Sequence, residues 1–462
     1  MKKRFSDTAL RVLIIPLVIE QILAIGVGMV DTMMIAPLGE TYVGALGLCA
    51  QFSSLMFSGY WGFVGGGMLF FAQYWGSKED DGIERSYGMT FTAMMTVGLL
   101  FGLTAMLKPD LVMKLYTDKV SMQVIGMEYL RIVGVAYMLQ VVSMAMSALL
   151  RSTERVRIPM IASIFSVISN LFLNWTLIYG HFGLPAMGIK GAALATSIAA
   201  GINVLSIMIM AMIIRYPYLF AIRGHFKWTG EHLMLYLRKC FPIICNEFLI
   251  GLGNMVINVT LGRQPEHVIA ALAVFRTLEC LVIGFFAGFS NAASVLVGKY
   301  VGAGQLEKAF TNARRLVYLC SGVIFFVSSS IFLMRYPILS RMSLSGESYK
   351  AGSLFLLIYV AASTIRMGNW LHNDTFRASG DAVTGTVLEI VFMYVIVLPS
   401  VLLSAFIFHL PYWVVFIACF IDEPIRYIIM QFHLYSARWV KPITDVGREA
   451  LSDFQKKYVR KR

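Results

Sequence analysis

Polar residues are thinly spread along this chain, and they fall between long apolar stretches. A helix of roughly 20 apolar residues crosses about 30 Å of hydrocarbon. Twelve such spans are predicted, the first six at roughly 9–36, 44–75, 88–107, 124–150, 157–180 and 188–214. The second six lie at roughly 239–262, 268–301, 316–334, 351–376, 382–408 and 412–436. The second and eighth are long for one crossing, which predicts a tilt or a bend. The pattern also matches itself at a shift of 226 residues. Ile15-Pro16 meets Phe241-Pro242, Ala45-Leu46 meets Ala271-Leu272, and Tyr74 and Gly76 meet Tyr300 and Gly302. Arg151 meets Arg377, and Leu184-Pro185 meets Leu410-Pro411, with no gap needed. A single offset across such separated places marks two copies of one unit. With six spans per copy, an even number, both copies face the same way about an axis along the membrane normal. The predicted fold is an all-α polytopic membrane protein, with twelve transmembrane helices in two six-helix bundles related by a parallel internal repeat. Its parts are an N-terminal lobe (1–214), a cytoplasmic linker (215–238), a C-terminal lobe (239–436) and a basic cytoplasmic tail (437–462).

Composition agrees with that reading. Of 462 residues, 58% are apolar and only 14% charged. The net charge of +13 suggests nucleic acid until the basic residues are placed. With the N-terminus in the cytoplasm, the inner loops and ends carry most of them, from Lys2, Lys3, Arg4 and Arg11 through Arg151, Arg223 and Arg315 to Arg438–Arg462. That bias sets the orientation, and charge spread around inner loops makes no nucleic-acid face. The expected location is the cytoplasmic (inner) membrane, multi-pass, with both termini inside. Pro37-Leu38-Gly39 is no signal-peptidase site, so the first span is expected to be retained. The six cysteines fall in apolar segments without metal-ligand spacing and read as reduced core residues.

No soluble catalytic motif occurs, and an enzyme is not expected. A Gly-rich phosphate loop is missing, so ATP as energy source has no support, and no cofactor is implied. Gly65-Gly66-Gly67 reads as close helix packing or a bend. Acidic residues inside spans carry more information, because a carboxylate is expensive in hydrocarbon and marks an ion or substrate path. Asp31 lies roughly 30 Å from Arg11, in the outer half. Asn170 and Asn174 lie roughly 20 and 26 Å from Arg157 and share a helix face. Thr196 lies about 12 Å below the outer end of its span. These four are expected to meet, and their oxygens suit a proton or a hard cation such as Na⁺. The alternative for the Asn and Thr side chains is helix-to-helix glue.

Glu20 stands eleven residues, nearly three turns, before Asp31 and faces the same side. Its repeat mate is Asn246, and Gln21 mates with Glu247. Polar groups at one level in both lobes favour a shared cavity, with bonding of Glu20 inside the first bundle as the alternative. Glu247 lies about 12 Å above Lys239. It reads either as a substrate or second cation site, or as the partner of Arg366 or Arg276. Glu279 with Arg276, and Asp422 and Glu423 with Arg426, have helix-neighbour spacing and read as neutralising pairs. Glu389 and Asp374 have no evident partner. The 28 methionines and the many aromatics suit an adaptable cavity wall.

Several motifs now carry a resemblance. They are Val30-Asp31-Thr32, Leu149-Leu150-Arg151-Ser152-Thr153, Asn170-Leu-Phe-Leu-Asn174 and Gly188-Ile-Lys-Gly-Ala-Ala-Leu-Ala-Thr196. The second half adds Gly298-Lys-Tyr-Val-Gly-Ala-Gly304 and Phe376-Arg377-Ala-Ser-Gly-Asp381. In order and spacing the chain resembles the multidrug and toxic compound extrusion family. The resemblance implies a cation-coupled efflux antiporter with two six-helix lobes around a V-shaped central cavity. Such proteins exchange H⁺ or Na⁺ for small organic, often cationic, compounds. Asp31 matches the first-span coupling acid, and Asn170 and Thr196 match polar partners near it. Asn174 departs from relatives that carry Asp there, leaving Asp31 as the sole titrating group of that cluster. Glu247 resembles a seventh-span acid used by some members for cation binding, whereas Arg366 stands where such members place another acid. A monomer is expected.

Other readings are weaker. A lipid or oligosaccharide flippase of related architecture prefers a strongly basic cavity, and here the span-embedded arginines have acids nearby. A receptor or scaffold does not account for two copies and a deep acid. The major facilitator class has a basic Gly-Asp-Arg-type loop after its second span, and Gly76–Gly82 lacks it.

Overall fold

The computed structural model of the chain describes residues 4–342, 344 and 346–458, with side chains from residue 13 onward except Met29 and Glu40. Lys2, Lys3 and the last four residues, which entered the charge reading, lie outside the described residues. Every element there is helical. The first half holds α1 (Arg4–Ile35), α2 (Glu40–Ser77), α3 (Asp80–Leu107), α4 (Pro109–Tyr116), α5 (Val120–Ser152), α6 (Arg157–Tyr179) and α7 (Ile189–Ile213). A short α8 (Ile222–His225) follows. The second half holds α9 (Gly230–Leu261), α10 (Glu266–Gly302), α11 (Leu306–Leu333), α12 (Arg335–Arg341) and α13 (Gly346–Ala378). It continues with α14 (Ala382–Phe392), α15 (Leu398–Leu402), α16 (Tyr412–Ala418), α17 (Glu423–Ser436) and α18 (Asp445–Tyr458).

The repeat seen in sequence governs the helix ends. Adding 226 to both ends of α1, α3 and α5 gives the ends of α9, α11 and α13. Pro16 and Pro242, repeat mates, both sit inside unbroken helices. Each leaves one carbonyl without its helical donor. Among the described residues, eleven helices are long and apolar enough to cross a membrane. The predicted twelfth, 412–436, is interrupted: it is two helices, α16 and α17, parted by a turn at 419–422. Pro424 has no N–H for the helical bond to Phe420 and starts α17 in its first turn. The stretch 382–408 is likewise uneven, with π-helical turns at Met393–Val397 and Leu403–Ile407 around α15. Pro399 removes one helical donor there.

Two compact units result. One contains Met1–Phe71 and Glu79–Cys240, the other Ala72–Lys78 and Phe241–Arg462. In the first, α3 packs on α5, α5 on α7, and α6 on both α1 and α7. In the second, α13 lies against α10, α11 and α17. The stretch 215–238 is tied to the first unit: the Tyr218 hydroxyl donates to Asp80 at 2.6 Å, and Tyr216 and Thr153 share a 2.7 Å bond. The stretch after 436 is docked on the second unit. Trp439 is fully buried, and α18 lays Phe454 and Leu451 against Phe310 and Trp439. Its apolar residues Gly447, Ala450, Leu451, Phe454 and Tyr458 recur at helical spacing, so one face can dock while the lysines stay wet.

Candidate functional site

Asp31 sits near the C-terminal end of α1, and α6 runs against α1. Asn170 and Asn174, one turn apart on α6, are both buried. The Asn174 amide donates to Asp31 Oδ1 at 2.5 Å and to Asn170 Oδ1 at 3.1 Å. Three of the four expected residues therefore form one hydrogen-bonded chain. Thr196 stands apart from that chain: its hydroxyl donates to the Ala192 carbonyl of its own helix at 3.0 Å. A β-branched hydroxyl inside a helix reaches its own fourth-preceding carbonyl easily. Thr196 meets Asn170 only as a fellow lining residue of a cavity. Outward of Asp31 the wall is apolar, built from Ile35, Ile178 and Ala192 with Met34, Leu38 and Tyr42 against them. The Tyr179 hydroxyl pins it by donating to the Met34 carbonyl at 2.7 Å.

The cavity inside the first unit has a volume of about 400 Å³, within the usual range for a small-molecule site. Its floor holds Glu20 and Arg151, which form a buried ion pair. Glu20 is thus bonded within its own bundle, the second of its two sequence readings. Polar residues at helical spacing supply the wall: Gln140, Ser143, Ser147 and Arg151 from α5, Ser166 and Asn170 from α6. The aromatic side is Phe57, Tyr60 and Trp61 of α2. Sequence reasoning missed this cavity. The signal was present, since hydroxyls and amides three or four residues apart line one helix face.

In the second unit Glu247 is paired with Arg377 at 3.2 Å, not with Arg366 or Arg276. The same guanidinium stands 3.9 Å from Asp374, which accepts from Ser290 at 2.6 Å. Arg366 instead faces Glu279 at 3.4 Å and Glu423 at 3.7 Å. The reason is height: Arg366 and Arg377 are eleven steps, about 16 Å, apart along one face of α13, and each meets the acid at its own level. The expected pairs of Arg276 with Glu279 (2.6 Å) and Arg426 with Glu423 (2.7 Å) are present. Glu389 accepts from Asn246 at 3.0 Å and from Asn373 at 2.7 Å. Arg377 is the repeat mate of Arg151, so Glu20–Arg151 and Glu247–Arg377 occupy corresponding places, the acid shifted by one residue. In this network six carboxylates face four guanidiniums.

The comparisons with known proteins bear on the whole chain. The MatE family model matches twice, over residues 16–176 and 242–403, once in each copy of the repeat. The chain is 24% identical to "Uncharacterized transporter YisQ" of Bacillus subtilis, over 92% of this chain and 93% of that protein. It is also 24% identical to "Probable multidrug resistance protein NorM" of Thermotoga maritima, over 77% and 76%. A crystal structure described as MATE in complex with MaL6 superposes with a TM-score of 0.83, at 18% identity and 97% coverage of both chains. That last likeness speaks for the fold alone. With the family model covering most of the chain and matching in both halves, this multi-pass membrane protein belongs to the MatE, or multidrug and toxic compound extrusion, family of transporters.

Proposed function

We propose that the protein exports organic, cationic or amphipathic compounds from the cytoplasm in exchange for an inward-moving cation, with two lobes that alternate access. The observation that carries the reading is the chain Asp31–Asn174–Asn170, a lone acid held deep in a span by one amide. A carboxylate in that setting marks an ion path. Cation binding there biases one state and substrate the other, because a ligand shifts an equilibrium only by its differential affinity. The proton is the favoured ion. The Asn174 NH₂ group lies between the two oxygens that a Na⁺ would need. Na⁺ is the second reading, favoured by Asn174 Oδ1, which is buried without a hydrogen-bond partner among the described residues. Turning that amide presents a third oxygen to the cluster, and Na⁺ takes oxygen donors. The excess of acids over arginines in the second unit speaks against a phosphate-bearing cargo, as a lipid or oligosaccharide flippase would carry. The proposed setting is the inner membrane, with a monomer as the working unit and both termini cytoplasmic.

The test is export from proteoliposomes under separately imposed H⁺ and Na⁺ gradients. Wild-type export should follow the H⁺ gradient, and Asp31→Asn, folded and still able to bind, should lose about tenfold or more of it. Gradient-driven export by Asp31→Asn at the wild-type rate would overturn the assignment of Asp31.

A further inference from the structure

A guanidinium within an apolar segment needs an anion to offset it, and each of the four in the second unit's acid network has one. Arg314 of α11 does not. It is half-buried, and among the described residues no carboxylate stands within ion-pair distance of it. Its one hydrogen bond there runs from Nη2 to the Tyr435 hydroxyl of α17 at 3.2 Å. The charge lies instead over two rings, 4.5 Å from the centre of Tyr435 and 5.7 Å from that of Phe310. Rings hold a guanidinium in place without neutralising it. The hydroxyls of Tyr435 and Tyr318 share a 2.8 Å bond, and Tyr318 is exposed. Glu307, two turns earlier on α11, is taken by Lys457 at 2.6 Å.

The level along the helices says what the missing anion is. Arg314 stands two residues before the predicted span 316–334, and Tyr435 one residue before the end of 412–436. Both are at the boundary of the hydrocarbon, where phospholipid headgroups begin. Deeper in, the two helices turn apolar residues outward at helical spacing, Phe325 on α11 and Ile425, Ile428 and Phe432 on α17. Between Tyr318 and Phe325, Gly322 leaves open space where a side chain would be. We propose that Arg314 and the Tyr318–Tyr435 hydroxyl pair hold the headgroup phosphate of an anionic phospholipid, with its acyl chains along Gly322 and Phe325 of α11 and Phe432 of α17. The phosphate supplies the counter-charge through a charge-assisted hydrogen bond from the guanidinium. Arg438, exposed one turn past Tyr435, repels a choline or ethanolamine group, so a lipid with net negative charge is preferred. The proposal goes beyond the exporter reading and does not depend on it.

The experiment uses the full chain purified in a non-ionic detergent. It is titrated with phosphatidylglycerol or phosphatidylcholine of the same acyl chains, and bound lipid is read by native mass spectrometry. Wild type should bind one phosphatidylglycerol about tenfold or more tightly than phosphatidylcholine. Arg314→Gln should remove that preference, and Arg215→Gln, at an exposed position in the first unit, should leave it. Equal affinity of wild type for the two lipids overturns the proposal, as does a preference that survives Arg314→Gln. Inorganic phosphate separates the two sources of the anion. If millimolar phosphate displaces phosphatidylglycerol completely, the site takes free phosphate and the lipid assignment falls. Lipid that stays bound supports the assignment, because the acyl chains then contribute. Should Arg314→Gln not fold, the wild-type chain still decides. A photoactivatable phosphatidylglycerol should attach to peptides of α11 and α17, and adducts confined to other helices overturn the site. No readout here uses transport, so a failure of gradient-driven export overturns the exporter reading and leaves the lipid site.

Discussion

Asp381, in the turn between α13 and α14, accepts from Lys441, Thr384 and His433 at 2.8, 2.8 and 2.9 Å. Burial alone raises a carboxyl's pKa, but these three bonds, with the Lys441 charge, outweigh it and hold Asp381 at about 2 against an ordinary 3.8. A depressed carboxylate stabilises the fold above its unfolded pKa, and the contribution is lost as pH falls through the folded value. The shift corresponds to about 2 kcal/mol, present above about pH 4 and gone near pH 2. Asp381→Asn should lower the thermal midpoint at neutral pH, and the gap to wild type should close between pH 4 and 2. A gap that stays constant with pH would mean that the carboxylate charge is not what holds this turn. Asp31 stands in contrast, with one amide bond and no cation within ion-pair distance among the described residues. Asp381 is tied into its turn by two charged or chargeable partners and a hydroxyl, whereas Asp31 meets an amide. Asp31 was legible from depth alone. The partners of Glu20 and Glu247 were not, because they lie 131 and 130 residues away.

At the scale of elements, the C-terminal ends of α2 and α10 show what the repeated glycines do. A Cβ on Gly76 would come 2.0 Å from the Lys299 carbonyl oxygen, and one on Gly302 would come 1.9 Å from that of Gln73. The two helix ends therefore cross backbone to backbone, which only glycine allows. Gln73 extends the joint, donating to the Ala378 carbonyl and accepting from the Ile443 N–H, both at 2.9 Å. Gly76→Ala should destabilise by about 1–3 kcal/mol, since the obstacle is backbone and cannot rotate away. Gly322→Ala, with open space around it, should leave the thermal midpoint unchanged or raise it. Equal midpoints for the two variants would show that the crossing has room to spare. The same close approach explains Gly66, whose Cβ would meet Cys240 Sγ at 2.2 Å, in agreement with its reading as a packing residue. The break between α16 and α17 was not legible. Hydropathy ignores where a carboxylate finds its arginine, and here Asp422 and Glu423 both find Arg426.

For the whole molecule, the charge bias predicts that both termini and the stretch 215–238 are cytoplasmic, and labelling tests it. In a background lacking the native cysteines, Lys227→Cys and Lys456→Cys in intact cells should resist an impermeant thiol reagent. Phe182→Cys, at a site 75% exposed, should react. Reaction at position 227 from outside would overturn the parallel topology of the two copies.

The sequence by itself determined the helical class, the number of copies and the constant offset between them. It also singled out Asp31 as an acid inside an apolar span. Those properties are carried by local periodicity and by the cost of charge in hydrocarbon, and both can be read one segment at a time. Only the tertiary structure decided that Thr196 bonds its own helix, that Glu20 and Glu247 face arginines on α5 and α13, and that faces of five helices line one cavity. It also decided that the tail is docked. Each of these depends on how helices turn about their axes when packed, and a rotation of one residue, about 100°, exchanges a partner for lipid.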